Sequence, residues 1–249
     1  MRITDIWNKF YLYSAKIIVL VVILMAGYTN SNAQKTHWVK RNNPNYDQRK
    51  LTYGFLMGLH SSSYQVKYSD SFVTDTKKFD TLYAVQPQWS PGFVLGLIVN
   101  YRLGDYVDLR TTPQFAFYEH RLDYIYTDDT PMEEHLIETT VVEIPILIKY
   151  KSERRGNVRM YMIGGIKPGF EASGKKGIDN TVTSLEVKGF STNLDIGFGF
   201  DLYYPLFKFS PEIRFSRGIT NILDNTTNKY GAPLKSVNTN TVTIYFLFQ

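Results

Sequence analysis

The 249-residue chain contains no cysteine, which excludes disulfides, thiol catalysis, thiolate metal sites and a lipid attached to an N-terminal cysteine. Rigidity must therefore come from packing and from backbone hydrogen bonds. Long hydrophobic runs are scarce as well. The uninterrupted apolar stretch Ile17 to Met25 falls well short of the roughly 20 residues a spanning helix needs. Nor is charge of one sign in large excess, because 28 Lys and Arg stand against 23 Asp and Glu, a formal net charge of +5 dispersed along the chain. That balance gives no argument for a nucleic-acid partner.

The N-terminus does carry a pattern. Arg2, Lys9 and Lys16 precede the short apolar run, and Ser31-Asn32-Ala33 follows it with small residues at the first and third positions. This order of basic, apolar and small residues reads as a cleavable signal peptide over residues 1–33. An exported chain without a spanning helix either dissolves in the periplasm or inserts as a barrel. The remaining sequence is expected to divide into a polar periplasmic lead, residues 34–50, and one barrel domain, residues 51–249.

Alternation decides for the barrel. From Phe190 to Tyr203, residues Phe190, Thr192, Leu194, Ile196, Phe198, Phe200 and Leu202 fall on one face, with Ser191, Asn193, Asp195, Gly197, Gly199 and Asp201 on the other. Period two of this kind is a strand, and a long aromatic face repeated along the chain suits lipid outside and a polar lumen inside. Similar segments are expected at Leu51 to His60, Pro91 to Leu103, from Val107, Ile137 to Tyr150, Val158 to Phe170, Phe207 to Ser216 and Thr241 to Phe248. In the fifth, Met160-Tyr161-Met162-Ile163 is apolar on both faces, and facing is not assigned. Pro113 and Pro145 predict local irregularities.

Connections around Gly104, at 151–157 and at 203–206 are short, whereas those at 61–90, 119–136, 171–189 and 217–240 are long. The expected fold is all-β, an eight-stranded antiparallel up-and-down outer-membrane β-barrel. Short turns in such barrels are periplasmic, which puts both termini in the periplasm and the long loops outside. Val242, Ile244, Phe246 and Phe248 form an aromatic closing strand of the sort that barrel-insertion machinery reads.

Eight strands enclose a space that side chains fill. The positions expected to face inward carry Arg102, Arg110, Lys149, Lys208 and Arg214 together with Asp108, Glu143, Asp195, Asp201 and Glu212. They are expected to pair into an internal network. Nearby glycines at 92, 96, 197 and 199 are read as making room for the long basic side chains.

Signs of catalysis are sparse. His60 with Ser61, Ser62 and Ser63, and His120 with Glu119, stand at strand ends where a lipid-modifying barrel could place a histidine and a serine, but no motif binds them into a triad. Glu133-Glu134-His135 and Asp128-Asp129 lack metal-ligand spacing. Interfacial girdles account for most of the 19 Tyr, 16 Phe and 3 Trp. No catalytic, metal or cofactor site is expected.

Several segments taken together resemble the PorT family of outer-membrane proteins. They are Asn42-Asn43-Pro44-Asn45-Tyr46-Asp47-Gln48-Arg49-Lys50-Leu51 leading into Tyr53-Gly54-Phe55, Pro91-Gly92-Phe93 with Leu95-Gly96 and Arg102-Leu103, Asp108-Leu109-Arg110 with Pro113, Glu143-Ile144-Pro145-Ile146-Leu147-Ile148-Lys149-Tyr150-Lys151-Ser152, Gly197-Phe198-Gly199-Phe200-Asp201 and Phe207-Lys208-Phe209-Ser210-Pro211-Glu212-Ile213. The resemblance implies a non-enzymatic component of the type IX protein secretion system. Such a protein would sit in outer-membrane lipid, work beside a much larger translocon and other secretion components, and in some bacteria be linked to gliding motility. No catalytic residues carry over. Within the lead, Asn45, Tyr46, Asp47 and Arg49 are expected either to dock a partner or to cap the lumen. Two other readings stay open: a barrel that binds ligands through its outer loops, and a lipid-modifying barrel enzyme dependent on His60 or His120.

Overall fold

The computed structural model describes residues 42–74, 81–127, 131–173, 188–224 and 230–249. The expected signal segment, the first part of the lead and Asp128-Asp129 lie outside the described residues. Among the described residues eleven strand segments run in chain order: β1 (Leu51–Tyr68), β2 (Leu82–Gln88), β3 (Ser90–Arg102), β4 (Val107–Thr111), β5 (Gln114–Tyr126), β6 (Glu133–Glu143), β7 (Ile146–Lys151), β8 (Val158–Ser173), β9 (Phe190–Tyr203), β10 (Lys208–Gly218) and β11 (Leu234–Phe248). A 3-10 turn, Tyr46–Gln48, precedes β1, and one short helix, Asp70–Thr74, follows it.

All pairings are antiparallel and the sheet closes on itself. β1 pairs with both β3 and β11, and the ring continues through β10, β9 and β8 to the broken strands β6/β7 and β4/β5, which return to β3. Counted as continuous strands, β2/β3, β4/β5 and β6/β7 each contribute one, so the ring has eight. Closure removes every edge within the ring, which is the condition for crossing a bilayer with strands.

Two of the three breaks, those within β4/β5 and β6/β7, arise from proline and leave the register intact. Val99 faces Thr111 and Gly96 faces Gln114, while Thr111 faces Ile146 and Gln114 faces Glu143. The Pro113 carbonyl still accepts from the Leu97 N–H at 2.9 Å, and the Pro145 carbonyl from the Thr112 N–H at 3.4 Å. Each proline removes one donor from the ladder and nothing more. Phe248 closes the ring, its aromatic face stacked on Phe55 at 5.0 Å and tilted against Phe209 at 5.1 Å.

Lipid-facing positions follow the expected alternation. Leu59, Leu97, Ile148, Met162 and Ile196 stand exposed around the outside, each on a different strand. In β8 the facing left unassigned by the sequence is now fixed: Met160, Met162 and Ile166 point out, and Tyr161, Ile163 and Lys167 point in.

Strand length departs from expectation. β1 has 18 residues and β11 has 15, more than the roughly 9–11 needed to cross a bilayer at a tilt. Much of the segments 61–90, 119–136 and 217–240, expected as loops, is therefore strand. Above the apolar belt the same faces exchange polarity. β1 turns Tyr64, Val66 and Tyr68 inward and Ser61, Gln65 and Lys67 outward, and β5 turns Leu122 and Tyr124 inward with Glu119 and Arg121 outward. Tyr64, Val85, Leu122, Tyr124, Leu234 and Val237 form a compact apolar core there. This end has the organisation of a small soluble β-barrel, stabilised by burial away from water.

Candidate functional site

The lumen is filled by ion pairs that join strands distant in sequence. Arg110 on β4 donates through Nη1 to Glu212 on β10 at 3.0 Å, with neither side chain exposed. Glu212 also accepts from the Tyr161 hydroxyl at 2.8 Å and from Arg214 Nε at 3.0 Å, and Arg214 reaches Asp195 at 3.5 Å. Lys149 donates to both oxygens of Asp201, at 2.9 and 2.6 Å, where Ser210 adds a 2.7 Å bond and Lys208 approaches to 4.0 Å.

Nine of the ten charged residues expected in the lumen are buried there. Arg102 differs: it bonds Asp105 and the Gly104 carbonyl at the rim of the short-turn end. Other partners complete the network. Lys151 binds Asp108 at 2.5 Å, and Lys167 binds Glu143 at 3.0 Å, where Gln114 and Tyr118 also donate. Lys167 was hidden in the sequence because its strand is apolar on both faces; its alternation with Gly165 and Ile163 was the available signal.

The glycines do not accommodate basic side chains. A Cβ on Gly92 would meet the His60 ring, one on Gly199 the Tyr161 hydroxyl at 2.6 Å, and one on Gly96 the Gln114 Cβ at 2.6 Å; at Gly197 the neighbour is the backbone of Ile213 and Arg214.

The lead closes the short-turn end. Asp47 lies 3.1 Å from Arg159 and 3.6 Å from Arg154 and accepts from the Tyr203 hydroxyl at 2.7 Å. Tyr46 packs edge-on against Tyr203, with Lys208 4.8 Å from the Tyr46 ring centroid. Asn42 and Asn43 donate to the carbonyls of Tyr203 and Tyr204 at 2.8 and 2.9 Å. Asn43 has φ +44°, a left-handed conformation that asparagine tolerates. Burial pushes the Tyr46 hydroxyl up to about 12, so it stays neutral and able to pack. Of the four lead residues singled out in the sequence, Tyr46 and Asp47 are thus turned to the barrel, whereas Asn45 and Arg49 are exposed. Arg154 and Arg159, which hold the lead, lie in and just after what reads as an ordinary charged turn.

At the long-loop end, four rings form a stack: Tyr64 on His120 at 4.0 Å, His120 near Tyr118 at 5.5 Å, and Tyr118 against His60 at 4.5 Å. Both histidines are buried. The serines beside them are engaged elsewhere, Ser62 donating to the Glu119 carbonyl at 3.4 Å and Ser63 to the Tyr64 carbonyl at 3.3 Å. Among the described residues no hydrogen bond joins either histidine to a serine, and no three acidic or histidine side chains converge on a metal position.

The solved structures to which this chain is similar at low identity include three outer-membrane proteins. Neisserial surface protein A is 12% identical, the alignment covering 80% of this chain and 98% of that one at a TM-score of 0.41. OprG from Pseudomonas aeruginosa is 12% identical, with 80% and 94% covered and a TM-score of 0.45. Ail of Yersinia pestis, in complex with the heparin analogue sucrose octasulfate, is 13% identical, with 80% and 99% covered and a TM-score of 0.35. No curated protein matches the sequence. The family described as outer membrane protein beta-barrel domain matches residues 32–224, most of the chain, and the protein belongs to that family.

Proposed function

We propose that this outer-membrane barrel is a non-enzymatic component of the type IX protein secretion system, of the PorT kind. It serves export of cargo proteins beside a larger translocon, with a link to gliding motility in bacteria that glide. The observation that carries the reading is the filled lumen. Buried pairs such as Arg110–Glu212 and Lys149–Asp201 occupy the interior, so an exported chain must pass through another protein and this barrel acts as an accessory. The segments that resemble the PorT family supply the same network and the lead that closes the short-turn end.

In this reading the short-turn end and both termini face the periplasm and the long loops face outward, as short turns do in outer-membrane barrels. Tyr46 and Asp47 fasten the lead, and the exposed Asn45 and Arg49 present the docking surface to other secretion components. The test is an affinity pull-down of the tagged protein from outer membranes in mild detergent, with mass spectrometry of what remains bound. Recovery of the translocon is expected, reduced by Asn45→Ala with Arg49→Ala. A barrel recovered alone, with secretion intact in a deletion strain, overturns the proposal.

A further inference from the structure

Beside the ring stack lies a cavity of about 50 Å³ that neither the ion network nor the lead uses. Its lining comes from side chains on β1, β5, β6, β8, β9 and β11, and it opens beside Lys188 and Gly189, both exposed, at the long-loop end. The lining is mixed: the hydroxyls of Thr139, Ser191, Thr239 and Thr241 and the amide of Asn193 share it with Tyr64, Val141 and Ile222, and the Thr239 hydroxyl donates to Asn193 Oδ1 at 2.9 Å. Glu143 also reaches the cavity, but Lys167, Gln114 and Tyr118 already engage it. One polar group in the lining is left over. His120 is 4% exposed, and its Nδ1 has no hydrogen-bond partner. A buried ring nitrogen in that state has lost water without gaining a bond, and a ligand that supplies one recovers the difference.

We propose that this cavity binds a small, neutral, hydroxyl-rich ligand, a sugar ring or a polyol, that enters from the long-loop end and bonds to the threonine hydroxyls, Asn193 and His120. The charge pattern selects for neutrality. An anion would meet the carboxylates of Glu143 and Glu171, and a cation would meet Lys188 and the Lys167 side of the Glu143 pair. An alkyl chain would strand the hydroxyls and amide of the lining without partners. The volume corresponds to about four waters, room for a short polyol or for one hydroxyl-bearing edge of a single sugar ring whose remainder lies in the mouth beside Lys188. The site stands independently of any role in secretion.

The experiment uses the full-length protein folded in a detergent without a sugar headgroup. Saturation-transfer NMR is run with glucose, galactose, N-acetylglucosamine and mannitol, and with acetate and methylammonium as charged controls. Transfer is expected to at least one of the four neutral probes at millimolar concentration and to neither ion. Thr241→Phe fills the cavity and should abolish transfer, with Thr139→Phe on the more open β6 wall as a second filling variant should the first not fold. His120→Phe keeps the ring stack while removing Nδ1 and should weaken binding roughly 2- to 12-fold, the range for loss of one neutral hydrogen bond. No transfer to any neutral probe, transfer to the ions instead, or transfer unchanged in a folded filling variant overturns the proposal.

Discussion

Asp47 and Arg159 meet at 3.1 Å across the mouth of the barrel, so a carboxylate just ahead of the first strand is fixed by a guanidinium on the fifth. Because Arg154 and the Tyr203 hydroxyl share that carboxylate, Asp47→Ala should release the lead without opening the ring. The expected loss is about 1–3 kcal/mol, as for hydrogen bonds to a charged group. It is read as faster proteolytic cleavage ahead of Leu51, with the heat-modifiable mobility of the barrel unchanged.

Glu212 carries a heavier burden, since Arg110, Arg214 and Tyr161 all donate to it. Glu212→Ala leaves two buried guanidinium groups short of a partner, although Arg214 keeps Asp195 and Arg110 keeps the Asn100 side chain. A loss of about 3–5 kcal/mol is expected, measured as the shift in urea midpoint of protein folded into lipid vesicles. Glu212→Gln retains an acceptor and should lose less.

The sequence carries the strand rhythm well where lipid is outside and charge is inside. Phe190–Tyr203 is a strand over the residues expected of it, and Arg110, Lys149, Asp201, Glu212 and Arg214 all reach the lumen. What it obscures is the level near His60 and Tyr118, where the faces exchange polarity. Past that level Tyr64, Leu122 and Val237 are buried while Gln65, Arg121 and Asn238 lie on the opposite face. The alternation persists there, but a reader holding to apolar-out sees its phase slip and infers a loop. The lead was ambiguous for a different reason. Asp47 finds its partners on β8 and in the turn before it, a contact that no local pattern encodes.

The glycines test how tightly the interior is packed. Gly199→Val drives a side chain into the Tyr161 hydroxyl that serves Glu212, and overpacking of this kind costs about 1–3 kcal/mol. Gly104 has nothing within 4 Å of a built Cβ. Gly104→Ala should therefore be neutral or stabilising by up to about 1 kcal/mol through the unfolded chain. Chemical denaturation of the two variants side by side gives opposite signs if the packing is as described.

Leu97 and Tyr83 are almost equally exposed, 63% and 68%, yet they should answer differently to a charge. Leu97 sits mid-way along the outward face of β3, among Phe93, Leu95 and Tyr101, whereas Tyr83 lies on β2 at the level where outward faces have become polar. In a bilayer, Leu97→Arg places a guanidinium near the midplane and should cost about 2–4 kcal/mol, while the same change at an aqueous position costs little. Folding both variants into vesicles and into detergent separates surface from solvent. The Leu97 penalty should appear in vesicles and shrink in detergent, and Tyr83→Arg should be indifferent to both. If Leu97→Arg were tolerated in vesicles, the apolar face would have to be covered by protein or water instead of lipid, because only hydrocarbon imposes that cost on an otherwise exposed arginine.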